Sequence, residues 1–216
     1  MTIAIIDYGC GNLHSVAKAF EQAARNEGKT RQIYVTSSVD EVKASDHVVL
    51  PGVGAFHECR TALKSLEGME QALFEHVHEK GKPFLGICVG MQLLAQRGLE
   101  YQETEGLSWI AGTVTRIMPD DPHMKIPHMG WNNLTFLNPH PVIDVFRQGE
   151  SEFHAYFVHS YAFEVKNPAH VIAQTDYGKA ITAIIADGPI IGTQFHPEKS
   201  QAFGLRFLQN FLRWRP

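Results

Sequence analysis

The chain opens on an uninterrupted apolar run, Thr2-Ile3-Ala4-Ile5-Ile6. It lacks the alternation of a half-exposed strand and is too short for a core helix, so it predicts a strand buried on both faces. After Asp7 and a Gly-rich turn, Leu13, Val16, Ala17, Phe20 and Ala24 recur at three- and four-residue steps. That stripe predicts an amphipathic helix over 13–24, lying on a sheet with Asn12 as its N-cap. Strands are predicted over 32–36 and 47–50, with a short helix over 38–44 between them. Residues 56–80 read as helix, broken near Gly68. Phe84-Leu85-Gly86-Ile87 is a further buried strand, followed by helix over 91–96 that ends at Gly98.

The pattern then changes. From Leu107 to Pro197 the chain is strand-rich and punctuated by Gly, Pro, Asn and Asp. Strands are predicted over 113–117, 133–136, 153–163, 171–175, 181–186 and 190–194, with antiparallel neighbours around Asp187-Gly188. Phe203, Phe207, Leu208, Phe211 and Leu212 mark a closing helix over 203–214. Helix–strand alternation followed by consecutive strands predicts an α/β fold. We expect a single domain with a mixed, mostly parallel central sheet flanked by helices, plus an antiparallel C-terminal portion.

Composition narrows the functional classes. A net charge of −4 over 216 residues argues against a nucleic-acid surface. No run approaches the roughly 20 apolar residues of a membrane span. Three cysteines without a C-x-x-C pair suit a reducing compartment. Asp7 comes too early for a secretory leader, so the cytoplasm is the expected location. There are 12 histidines, but none pairs at H-x-x-x-H spacing with a third ligand nearby, so no metal is expected. His57, His76 and His78 read as surface residues.

Two stretches carry candidate chemistry. Gly86-Ile87-Cys88-Val89-Gly90 lies between a predicted strand and a predicted helix, the cysteine form of a nucleophile elbow. Flanking glycines remove side chains that would clash on so sharp a turn. A helix starting just beyond would aim free N–H groups and a positive dipole end at the sulfur, favouring thiolate. The other reading is a buried structural cysteine. In the second half, Gln194-Phe195-His196-Pro197-Glu198 ends a strand. Pro197 stops it, and Glu198 can fold back on the imidazole to hold its tautomer. Alone, a His-Pro-Glu stretch is most often an exposed turn. Together they supply a nucleophile, a proton carrier and an orienting carboxylate. Strand C-terminal ends gather on one edge of an α/β sheet, and Pro51-Gly52-Val53-Gly54 follows a strand onto that edge. Its N–H groups, with that of Val89, suit an oxyanion hole.

These motifs resemble the class I (triad) glutamine amidotransferases, a flavodoxin-like α/β family. Asp7-Tyr8-Gly9-Cys10-Gly11-Asn12-Leu13, Pro51-Gly52-Val53-Gly54, Pro127-His128-Met129-Gly130-Trp131-Asn132, Tyr156-Phe157-Val158-His159-Ser160-Tyr161 and Lys199-Ser200 extend the likeness over nearly the whole chain. They narrow it to the branch serving imidazole glycerol phosphate synthases. Val89 stands where Leu is commoner, and Ser108-Trp109-Ile110-Ala111 departs from the usual stretch. The resemblance implies one type-1 amidotransferase domain over 1–216. It implies glutamine hydrolysis by Cys88, His196 and Glu198, with no cofactor. It also implies a heterodimer with a (βα)8-barrel cyclase that receives the ammonia during histidine biosynthesis.

The resemblance further implies an oxyanion hole at Val53 and Val89. Glutamine would be held by Gly52, Gly54, Gln92, Ser160 and Tyr161, with a partner rim at Asn12, His128, Trp131 and Lys199. Plainer readings stand beside these: an exposed helix residue for Gln92, strand packing for Ser160 and Tyr161, a core aromatic for Trp131, a surface charge for Lys199. The alternatives for the whole chain are a glutaminase subunit of another synthase (pyridoxal phosphate, anthranilate or aminodeoxychorismate type) and a non-catalytic cysteine sensor.

Overall fold

The computed structural model describes residues 1–28, 30–121, 123–147 and 153–216. An eight-stranded sheet forms its centre. Strands β1 (Thr2–Ile6), β2 (Gln32–Thr36), β3 (His47–Gly52) and β4 (Phe84–Cys88) lie in the order β2-β1-β3-β4, all parallel. Next to β4 comes Ile190–Thr193, from the far end of the chain and also parallel to it. Ala180–Asp187, Val171–Asp176 and Thr135–Phe136 complete the sheet as antiparallel neighbours. The mixed, mostly parallel sheet is thus present; part of the antiparallel portion extends it, and the rest forms a separate two-stranded sheet and a four-stranded one. β3 and β4 are buried along their whole length and β1 from Ile3 on, and they are largely apolar because neighbours cover both faces.

Helix α1 (Leu13–Asn26) is capped as its sequence predicts, Asn12 Oδ1 accepting from the Ser15 N–H at 3.3 Å. It packs on the closing helix Gln201–Arg213, where Phe20 meets Phe211 edge-on at 6.1 Å. Gly68, at φ 76°, separates the helices Phe56–Ser65 and Met69–Phe74, and the second winds on through a π-type turn, Glu75–Glu79.

Three expectations are corrected. The helix after Cys88 is a single turn, Val89–Gln92. The carbonyls of residues 93–96 instead take N–H groups from residues 106–110. The predicted strand 153–163 is two strands in different sheets. His154–His159 pairs with His128–Asn133, and Tyr161–Val165 pairs with Gly112–Arg116, so the chain changes sheets at Ser160. His76, read as a surface residue, is fully buried, its Nε2 3.3 Å from the Pro83 carbonyl.

Candidate active site

The sheet places Cys88. β3 and β4 stay in register out to the pair Gly52↔Cys88, so the Gly-rich loop begins beside the sulfur-bearing residue. Cys88 has φ 55°, a strained conformation for a side chain with a Cβ and one concentrated at functional sites. The glycines are required by contact. A Cβ on Gly90 would lie 1.8 Å from the Leu50 carbonyl oxygen, and one on Gly86 would lie 2.7 Å from that of Gly90. Because the following helix is one turn long, its dipole is small, and the electrostatic setting of the sulfur comes from elsewhere.

It comes from His196. Ile190–Thr193 runs parallel to β4 with Thr193 opposite Ile87, so the chain leaves the sheet at the Cys88 end. His196 follows three residues later, and Pro197 opens a short 3-10 turn over Pro197–Lys199. That turn brings Glu198 Oε1 to 2.8 Å from His196 Nδ1. Ser200 Oγ donates to the His196 carbonyl at 2.7 Å and accepts from the Tyr156 N–H at 3.0 Å, tying the turn down. Nε2 of His196 is buried without a hydrogen-bond partner, and His196 and Cys88 line the same cleft. Burial alone would lower the pKa of this imidazole. The facing Cys88 and Glu198 outweigh it and raise the pKa to about 10.

A cleft of about 330 Å³ opens over this pair, bordered by Val53, Gly54, Val89, Gln92, Ser160, Tyr161 and Lys199 among others. Gln92 is buried, and its amide donates both hydrogens to protein, to the Tyr161 carbonyl and to Gln194 Oε1, each at 3.0 Å. Only its carbonyl oxygen is left for a ligand. Gln194 in turn donates to Cys88 Sγ at 3.6 Å. Its role was not legible in sequence, where it read as the end of a strand. Glu100 was also missed as part of an acidic loop. It borders the cleft and accepts from the Phe56 N–H at 2.8 Å, capping a helix that has no cap of its own.

The Gly-rich loop is held from behind. Tyr8 Oη donates to the Pro51 carbonyl at 2.6 Å, and the Cys59 thiol donates to that of Val53 at 3.4 Å. Gly52 is wedged in place, since a Cβ there would lie 2.7 Å from Tyr8 Oη and 2.8 Å from the Gly90 nitrogen. Of the expected rim residues, Asn12, Trp131 and Lys199 are exposed, and Trp131 rests edge-on against Tyr156. His128 is not on a rim. It is 2% exposed, stacked on Tyr177 and Phe157, because strand alternation turns it inward while Met129 faces out. Among the described residues no group of three or more metal-ligating side chains converges. No helix among them is long and apolar enough to cross a membrane.

The fold is that of the class-I glutamine amidotransferases, and comparison with known proteins agrees. The chain belongs to the class-I glutamine amidotransferase family, whose model matches residues 4–214. It is 54% identical to the imidazole glycerol phosphate synthase subunit HisH of Rhodopseudomonas palustris and 55% identical to that of Bradyrhizobium diazoefficiens, over the full length of each chain. Among solved structures, a glutamine amidotransferase aligns over 98% of this chain and 97% of its own, with TM-score 0.69 and 17% identity. The glutaminase domain of Trypanosoma brucei CTPS aligns over 100% and 95%, with TM-score 0.69 and 16% identity. These two show the shared fold.

Proposed function

We infer that this chain, working over 1–216 as one amidotransferase domain, is the glutaminase subunit of an imidazole glycerol phosphate synthase. It hydrolyses L-glutamine to L-glutamate and ammonia for histidine biosynthesis. The observation that carries the reading is the buried series of sulfur, imidazole and carboxylate: Cys88 and His196 on one cleft, and His196 Nδ1 2.8 Å from Glu198 Oε1.

The Cys88 thiolate attacks the side-chain amide carbon of glutamine. The oxyanion that forms is met by the N–H groups of Val53 and Val89, each such donor typically contributing about 3 kcal/mol. His196 gives its proton to the amide nitrogen, the C–N bond breaks and ammonia leaves a γ-glutamyl thioester. Neutral His196 then takes a proton from water, the hydroxide adds to the thioester, and glutamate departs as the C–S bond breaks. Glu198 holds His196 in one tautomer and offsets its charge throughout. At the amino-acid end, the free Gln92 oxygen and the Glu100 carboxylate suit the α-ammonium group. Gly54, Ser160 and Tyr161 border the remainder, whereas Gly52, expected there too, is buried and does not line the cleft.

Ammonia passes to a cyclase subunit with a (βα)8 barrel, in a cytoplasmic heterodimer. Asn12, Trp131 and Lys199 belong to the docking face, where an exposed Trp is favoured. Val53 is 41% exposed, so the loop carrying the oxyanion donor is within reach of a partner. The test is a glutaminase assay on the chain alone and with a cyclase subunit and its nucleotide substrate. We expect slow turnover alone and an increase of orders of magnitude in the complex. Fast turnover by the isolated chain, or none in the complex, overturns the reading.

A further inference from the structure

Of the buried histidines that the proposed mechanism leaves unused, two touch. His128 and His159 face each other across neighbouring antiparallel strands, with His128 Nδ1 3.0 Å from His159 Nε2. Both are buried, and His159 borders the cleft. At one end, His159 Nδ1 lies 2.8 Å from the Tyr161 carbonyl. At the other, Asn132 Nδ2 lies 3.2 Å from His128 Nε2.

The protons in this chain can be assigned from its ends. A carbonyl only accepts, so His159 Nδ1 carries the hydrogen and its Nε2 is an acceptor. Asn132 Nδ2 donates to the Asp176 carbonyl at 2.7 Å, and Asn132 Oδ1 accepts from the Asn133 N–H at 2.8 Å, which fixes the amide's orientation. His128 Nε2 therefore accepts from Asn132, and His128 Nδ1–H donates to His159. One arrangement satisfies every contact. An extra proton on either ring would set an N–H against another donor. Burial also disfavours that proton, lowering the pKa of His128 to about 4 and of His159 to about 3.

The far end of this chain meets the substrate pocket. The Tyr161 carbonyl accepts from both His159 Nδ1 and Gln92 Nε2, which occupies both its lone pairs. It is therefore a support and not a ligand group. We infer that His128 and His159 are positioning residues: a proton-ordered strut that fixes the Tyr161 carbonyl, and through it the Gln92 amide, at the glutamine end of the cleft. The strut starts at Asn132, one residue from exposed Trp131, so it ties the partner-facing strand to the pocket wall. The inference rests on the glutaminase reading for its consequence but not for its geometry.

Two measurements test it. Nitrogen-15 imidazole spectra of the unaltered chain at pH 7 should show both rings as the Nδ1–H tautomer. Either ring as the Nε2–H tautomer or as imidazolium overturns the strut. In the complex with the cyclase subunit, His159→Asn keeps an amide nitrogen near the Nδ1 position, whereas His159→Gln reaches only the Nε2 position. The Gln variant should have a KM for glutamine about tenfold above that of the Asn variant, the scale of one buried hydrogen bond, with similar kcat values. Equal KM values overturn the inference even when melting curves show both variants folded. Failure of the unaltered complex to hydrolyse glutamine would refute the glutaminase reading instead, leaving the tautomer result to stand or fall separately.

Discussion

His196 Nδ1 lies 2.8 Å from Glu198 Oε1, and both side chains are only 2% exposed. Residues two apart on an extended strand point the same way without converging on one another. Here Pro197 starts a tight turn that folds the carboxylate back onto the ring. The result is an imidazole held by one nitrogen and offering the other to Cys88.

Glu198→Gln removes the charge while keeping the shape. His196 then loses one of the two groups that raise its pKa against burial. We expect kcat for glutamine hydrolysis in the complex to fall about 10²- to 10⁴-fold. The pH–rate profile should shift so that His196 loses its proton at lower pH. A profile superimposable on the unaltered enzyme's would remove Glu198 from the proposed triad.

Cys88→Ala deletes the nucleophile without filling the elbow. Glutamine turnover should drop at least about 10³-fold, while circular dichroism and complex formation persist. Substantial residual turnover in this variant sinks the thioester mechanism.

Gly90→Ala places a methyl group 1.8 Å from the Leu50 carbonyl oxygen, on backbone that cannot swing aside. Overpacking of this kind costs about 1–3 kcal/mol or more. Urea unfolding should show a clear loss of stability, in contrast to Gly188→Ala. That glycine has open space around it, so the cost there is confined to its positive φ. Equal midpoints for Gly90→Ala and the unaltered chain would contradict the elbow packing.

Tyr8→Phe removes the buried hydroxyl that donates to Pro51 O at 2.6 Å. Burial first, then the neighbouring Cys59 and Cys10, pushes this phenol well above its usual pKa, so it remains a donor at any ordinary pH. Loss of that donor should cost about 1–3 kcal/mol and loosen the loop that bears the Val53 N–H. We expect a lower kcat for glutamine with little change in Cys88 alkylation by iodoacetamide, a displacement that forms no oxyanion. A parallel fall in both rates would assign Tyr8 to general stability alone.

Acid should destabilise the fold before its carboxylates titrate. Burial lowers the pKa of His47 and His159 to about 3, and of His76, His128 and His140 to about 4. Below the unfolded value of 6.5, the unfolded chain takes up these protons and the native chain does not. Stability therefore falls as pH drops from about 6.5 towards 4, each such group adding up to about 1.4 kcal/mol per pH unit. His196 has the opposite sign, since its raised pKa contributes stability that is present below 6.5 and lost as pH rises through about 10. It is protonated in both states in the acid window and cannot compensate. Urea midpoints that hold constant from pH 7 to pH 5 would contradict this.

What was legible in the sequence is local or periodic. Buried strands announce themselves as short apolar runs, α1 by its stripe and its Asn12 cap, and the elbow by glycines spaced around Cys88. These signals lie within a few residues of one another and answer to backbone sterics. The pairing of Cys88 with His196 followed from chemistry, a nucleophile needing a base, but its geometry required Ile190–Thr193 to insert beside β4 from over 100 residues away. Only the tertiary structure decided the rest. Gln194 and Glu100 acquire their places through contacts made across the fold. The helix after Cys88 ends at one turn because a later loop supplies its carbonyls with partners. His128 turns from a rim candidate into a buried strut because the strand opposite presents His159, a long-range register that no local pattern encodes.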